Sequence, residues 1–149
     1  MKNIILTILL FLILNNNCIA QKYTETYIKN ANKTANIWLN NINQNDYDSA
    51  YEVLSNEIKK QSKTKENWIH LISELMNEFG LINERKRTDI YFESKVGDQS
   101  GFFVFIEYEC DYSNTQNHTE YLMLKQNDKM EWKISDYWYN FNSINKEKE

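Results

Sequence analysis

Proline is absent from this chain of 149 residues, and glycine, cysteine and histidine are scarce, at three, two and two. No Pro- or Gly-rich stretch marks a linker, so nothing divides the chain into two domains. Gly80, Gly97 and Gly101 are not spaced to cradle a phosphate. Nucleophile elbow, zinc spacing and calcium loop are all missing. Cys110 is the only thiol outside the N-terminal segment, which excludes an internal disulfide or a Cys-based metal site. A nucleophilic Cys110 needs a nearby base, and nothing in the spacing of His70 and His118 supplies one. Basic residues are also in deficit, 17 against 21 acidic, for a formal net charge of -4. That balance excludes nucleic acid and an anionic membrane surface as partners, because both need a basic face. The sequence names no catalytic residue, no metal site and no cofactor.

What is present begins with a leader. Lys2 is a short positive region, and Ile4–Leu14 is an apolar run broken only by Thr7. The run is shorter than the ~20 residues a membrane-spanning helix needs. Asn15–Asn17 end it, and Cys18 and Ala20 place small residues at the −3 and −1 positions of a cut before Gln21. Residues 1–20 therefore read as a signal peptide, which implies a periplasmic or secreted protein with no transmembrane helix after cleavage. The rival is a lipoprotein signal acylated at Cys18, but three asparagines precede that cysteine where small or apolar residues belong. Residues 21–141 are expected to form one domain, large enough to bury a core, and residues 142–149 a polar tail.

Three helical stripes come first. Tyr23, Tyr27, Ala31, Ala35, Trp38, Leu39 and Ile42 recur at steps of three and four. Tyr47, Ala50, Tyr51, Leu54 and Ile58 repeat the pattern after a cap at Asn45 or Asp46. Trp68, Leu71, Ile72, Leu75, Met76 and Phe79 make the cleanest stripe, with Ser62 or Thr64 as its cap and Gly80 as its stop. After Gly80 the period changes to two. Strands are expected over residues 85–95, 102–112, 119–126 and 130–139, with a tight hairpin at Asn127-Asp128. Val104, Ile106, Tyr108, Cys110 and Tyr112 share one face of the second strand; Glu107, Glu109 and Asp111 share the other. Helices followed by hairpin-linked strands mean a segregated α+β domain. A curved antiparallel sheet wrapped on helices is a cone of the cystatin-like or nuclear-transport-factor-2-like kind.

The landmarks from Ala35 to Tyr139 resemble an uncharacterised bacterial family, domain of unknown function 4019. They are Trp38, Asp46-Tyr47, Tyr51, Trp68, Gly80, Arg85, the strand Phe103–Asn114, the Glu-led strand Glu120–Lys125 and the segment from Trp132 to Tyr137. The chain departs from that pattern at Asp136, where the family usually has Gly. The resemblance implies an exported protein and brings no activity.

Two constellations stand out. Glu107, Glu109 and Asp111 alternate along one strand face, which fits the wet side of an antiparallel sheet better than a cation site. Asp136 interrupts an apolar face between Ile134 and Trp138. If alternation holds, its carboxylate faces the core or a pocket, with Arg85 as its candidate partner; a β-bulge would instead turn it outward. Cones often hold a pocket between helices and sheet, which aromatics with free polar tips would line. The candidate ligand-binding residues are Trp38, Tyr51, Arg85, Tyr108, Asp136 and Trp138. The function expected is that of a non-enzymatic envelope domain binding a small apolar ligand or a protein on the concave face. The alternative is a small enzyme of the nuclear-transport-factor-2-like type doing proton transfer or hydration, with Asp136 as acid or base.

Overall fold

A computed structural model describes the backbone of residues 2–144 and side chains from residue 23 onward. The leader's side chains, including Cys18 and the cut before Gln21, lie outside the described residues, as does the end of the tail. The order is α1 (Lys2–Asn43), α2 (Tyr47–Glu52), α3 (Asn56–Gln61), α4 (Lys65–Phe79), β1 (Ile82–Val96), β2 (Gln99–Tyr112), β3 (Thr115–Gln126) and β4 (Trp132–Ser143). The four strands form one antiparallel meander, β1-β2-β3-β4, so the segregated α+β class holds.

Side-chain oxygens start the short helices, as capping chemistry requires. Asp46 accepts from the Ser49 N–H at 3.1 Å, and Thr64 accepts from the Asn67 N–H at 3.1 Å. Gly80 ends α4 with φ of 81°, and a Cβ there would collide with the Ser113 hydroxyl and the Asn114 amide. The second stripe does not make one helix. It breaks at Val53–Ser55, because this segment bonds to β4 instead: Ser55 N–H donates to the Ile134 carbonyl at 2.8 Å and Ile134 N–H to the Val53 carbonyl at 3.1 Å. Ser55 then caps α3. The strands also run longer than their alternation implies. β1 starts at Ile82, β3 at Thr115, and β4 reaches Ser143 rather than leaving a tail from Asn142. The β3–β4 turn is wider than a two-residue hairpin. Asn127 N–H donates to the Glu131 carbonyl, and its side chain accepts from the N–H groups of Lys129 and Glu131.

The core lies between the inner sheet face and α1. Ala31, Ala35, Trp38, Leu39 and Ile42 pack with Val104, Ile106, Leu122, Leu124 and Ile134, all buried. The register shifts in β4 opposite Met123 and Leu124, so Ser135 is the extra residue of a β-bulge. Before it the even residues Trp132 and Ile134 face inward. After it Asp136 is exposed, Tyr137 turns in against Trp38 with rings 5.1 Å apart, and Trp138 turns out. The alternation that would have aimed Asp136 at the core therefore does not hold. Among the described residues no helix is long and apolar enough to cross a membrane.

Trp68 is buried, with Tyr51 of α2 as its ring neighbour at 5.7 Å. Truncation there leaves a large void, and Trp68→Ala is expected to cost about 3–5 kcal/mol. Urea unfolding monitored by circular dichroism checks this; a loss below about 1 kcal/mol would mark Trp68 as dispensable to the core.

Candidate functional site

Each strand contributes one side chain to a polar network on the inner face: Arg85 from β1, Tyr112 from β2, Glu120 from β3 and Tyr137 from β4. Glu120 has no solvent exposure and the Arg85 side chain 9%. Arg85 Nε donates to Glu120 Oε2 at 2.7 Å and Nη2 to Oε1 at 3.2 Å, a two-pronged contact that matches the planar guanidinium to the carboxylate. Oε1 also accepts from the Tyr112 hydroxyl at 2.6 Å and the Tyr137 hydroxyl at 3.0 Å. Arg85 Nη2 donates to the Tyr112 oxygen at 2.6 Å, and Nη1 donates to Asn43 Oδ1, at the end of α1, at 3.1 Å.

This arrangement fixes the protonation states. Burial pushes the Glu120 carboxyl up, but the Arg85 charge and the donated hydrogen bonds outweigh burial and hold it below its ordinary value. Burial likewise acts to lower Arg85, and the facing carboxylate outweighs it, so the guanidinium stays firmly charged. Burial and then the Glu120 charge push both tyrosines up, so they remain neutral donors. Cys110, opposite Arg85 in the ladder, is half-buried, and burial followed by the Glu120 charge pushes its thiol up to about 12. A thiol held protonated is a poor nucleophile.

His118 is stacked at the rim of this network. Its ring lies within an aromatic cluster with Phe79 at 4.3 Å, Tyr112 at 4.7 Å and Phe141 at 5.3 Å. Nδ1 meets the Thr115 hydroxyl at 2.9 Å, while Nε2 is buried without a hydrogen-bond partner, 3.9 Å from Glu120 Oε1. Burial pulls the imidazole below its ordinary value despite that carboxylate, so His118 is neutral in the fold.

The six candidate residues are not brought together. Arg85 enters the network, but its partner is Glu120 and not Asp136. Trp38 and Tyr108 are buried with Nε1 and the hydroxyl unpartnered, and neither lines the clefts of about 410, 460 and 560 Å³. Tyr51 lies in the helical layer beneath the ammonium groups of Lys59 and Lys65, at 4.8 and 5.5 Å. Asp136 and Trp138 lie on the opposite face of the sheet, where the Asp136 carboxylate accepts from the Tyr137 N–H at 2.9 Å. The 410 Å³ cleft, lined by Asn43, Asn77, Gly80, Tyr112 and Ser113, reaches the network only through Asn43 and Tyr112, both already bonded to Arg85. Among the described residues no group of three or more His, Cys, Asp or Glu is placed to hold a metal ion.

That outer face carries its own pattern. Tyr91 stacks on Phe105 at 5.1 Å and 11°, Tyr121 stacks on Trp138 at 5.6 Å and 7°, and Phe105 meets Trp138 edge-on at 6.5 Å. The four rings cross all four strands, and Tyr91 and Trp138 are each 38% exposed. Asp89 lies directly opposite Glu107 beside them, an unfavourable pairing of like charges.

The family model for "Protein of unknown function (DUF4019)" matches residues 34–137. The chain belongs to this family. No curated protein matches it. The DUF4019 stretch runs from within α1 to Tyr137 in β4 and so contains Asn43, Arg85, Tyr112, His118, Glu120 and Tyr137. Sequence reasoning missed Glu120, Tyr112, Tyr137 and His118 as a unit, although Arg85, Glu120 and Tyr137 all stood among the family landmarks.

Removing one member of a buried ion pair strands the other, so Glu120→Ala is expected to cost about 3–5 kcal/mol, and an apolar Arg85→Met/Glu120→Leu double variant to recover most of it. Both Glu120 and His118 have folded pKa values below their ordinary 4.5 and 6.5. The unfolded chain therefore binds more protons than the fold as pH falls. His118 withdraws stability first, below about 6.5, and Glu120 below about 4.5, each by at most about 1.4 kcal/mol per pH unit. Urea midpoints at pH 7.5 and 5.0 should fall for the wild type and change less for His118→Gln; equal falls would refute the assignment to His118.

Proposed function

We propose that this DUF4019 protein is an exported, non-enzymatic domain that binds a basic segment of another protein on the outer face of its sheet, and that the helix-wrapped sheet is a cone of the cystatin-like or nuclear-transport-factor-2-like kind. The observation that carries the reading is the Tyr91–Phe105–Trp138–Tyr121 stripe flanked by Asp89, Glu93, Glu107 and Asp136. Exposed ring faces and carboxylates together attract lysine and arginine side chains, through cation–π contact and charge pairing. A bound cation would also relieve the opposition of Asp89 and Glu107. The net charge of -4 favours such a partner.

The inner, concave face supports a ligand less well, because α1 fills it and Arg85 and Glu120 spend their hydrogen bonds on each other and on the tyrosines. The proton-transfer alternative relied on Asp136 in a pocket with a second titratable group. Asp136 is exposed and bonded to its own neighbour's N–H. Export rests on the leader, and N-terminal sequencing of the released chain should begin at Gln21.

Trp138 reports on the face directly. Titration with a lysine-rich peptide is expected to change tryptophan fluorescence, with binding that weakens as salt rises. Trp138→Ala and an Asp89→Asn/Glu107→Gln double variant should each weaken binding about tenfold or more, as loss of one such contact implies. Binding unaffected by these variants, or no binding at low salt, would overturn the reading.

A further inference from the structure

The two edges of the sheet are built differently. The β1 edge carries Glu84, Arg85, Lys86, Arg87, Asp89, Glu93 and Lys95, and its ladder slips register at three places. Charges and bulges are the ordinary means of keeping an edge from pairing with another chain. On the β4 edge these devices are confined to its first half, in Lys133, the Ser135 bulge and Asp136; Tyr137–Ile144 contains no charged residue, no proline and four aromatic rings. Its outward backbone groups after Ile134 have no backbone partner among the described residues, and Asn140, Asn142 and Ser143 are exposed.

What stops pairing on this edge lies upstream. Val53–Ser55 occupies Ile134 in a parallel bridge, so the stretch with no strand beside it is Ser135–Ser143, where the Asp136 carboxylate holds the Tyr137 N–H at 2.9 Å and must give it up on pairing. The midpoint of that stretch is Tyr139. We infer that β4 pairs antiparallel with β4 of a second copy of this chain about a two-fold axis at Tyr139, joining two four-stranded sheets into one of eight strands. An antiparallel edge is self-complementary under such an axis, which closes the assembly at two copies. Only this centring uses the whole stretch without running into the Leu54 bridge.

The side chains fit that register. Asp136 falls opposite the second copy's asparagine at position 142, so no like charges meet, and the two Asp136 residues lie far apart. Tyr137 falls opposite a phenylalanine, an aromatic pair of the kind that stabilises sheets. Trp138 falls opposite an asparagine on the outer face, which brings the two aromatic stripes to one shared seam. The inference stands apart from the basic-partner reading, since it uses the backbone edge and not the face.

The test uses the full chain recovered from producing cells. Sedimentation velocity at tens of micromolar should show a dimer. Asn140→Lys, at an exposed position, places two ammonium groups diagonally across the axis and should weaken dimerisation about tenfold or more. A second measurement does not depend on weakening. Within one chain positions 136 and 142 are roughly 20 Å apart along the strand, beyond disulfide reach, whereas across the axis they are directly opposite. Asp136→Cys/Asn142→Cys should therefore give a disulfide-linked dimer on mild oxidation, well above the parent chain with its Cys110 and either single-substitution variant. A monomer at these concentrations would overturn the inference. So would a dimer indifferent to Asn140→Lys and without selective cross-linking, which places the contact on another surface.

Discussion

The contact between Arg85 and Glu120 constrains everything around it. Two opposite charges removed from water are tolerable only if their geometry is good and their remaining hydrogen-bonding capacity is used. Here the guanidinium meets the carboxylate at 2.7 and 3.2 Å, two tyrosine hydroxyls complete one oxygen, and Asn43 takes a further guanidinium proton. Because those groups come from four different strands and the end of α1, the network is satisfied in only one alignment of the sheet. A slip of one residue in any strand would leave a buried charge or hydroxyl without its partner. The same slip would turn that strand's apolar side chains to the opposite face, so the network and the core specify one register.

The same contact sorts the molecule's two faces by chemistry. The inner face has committed the Arg85 and Glu120 charges and the Tyr112 and Tyr137 hydroxyls to one another, and burial keeps the Cys110 thiol and those tyrosines protonated. The outer face holds carboxylates on a ring-covered surface, where Lys86 faces Glu109 but Asp89 faces Glu107. A reading of function drawn from titratable residues alone would have gone to the inner face, where the groups are most perturbed. Perturbation there comes from a structural ion pair, which shifts proton affinities as strongly as a catalytic site does.

Much of the fold was legible from periodicity and end signals. The stripe from Trp68 to Phe79, the Thr64 cap and the Gly80 stop made α4 readable, and the alternation from Val104 to Tyr112 placed β2 with its acids outward. What failed was decided by tertiary contacts. Tyr47–Ile58 has a helical stripe throughout, yet Val53–Ser55 leaves the helix because β4 offers its backbone hydrogen bonds at Ile134. A bulge likewise has no period, so nothing local announced that Ser135 was the extra residue. For the site, the signal was partial and was misassigned: Glu120 is the lone acid on the inner face of β3, whereas Arg85 shares its face with Arg87 and was paired with Asp136. Two such charges of opposite sign on strands of one sheet are best paired with each other before either is assigned a ligand.

The bulge at Ser135 also works as a change of phase. On its upstream side even-numbered residues belong to the core, and on its downstream side odd-numbered ones do. One inserted residue thereby decides that Tyr137 reaches the buried carboxylate while Trp138 joins the surface stripe. The interior bond and the exterior ring are thus consequences of a single count along the chain. The length of β4 between Ile134 and Tyr137 is accordingly under a tighter constraint than the identity of the residues that fill it.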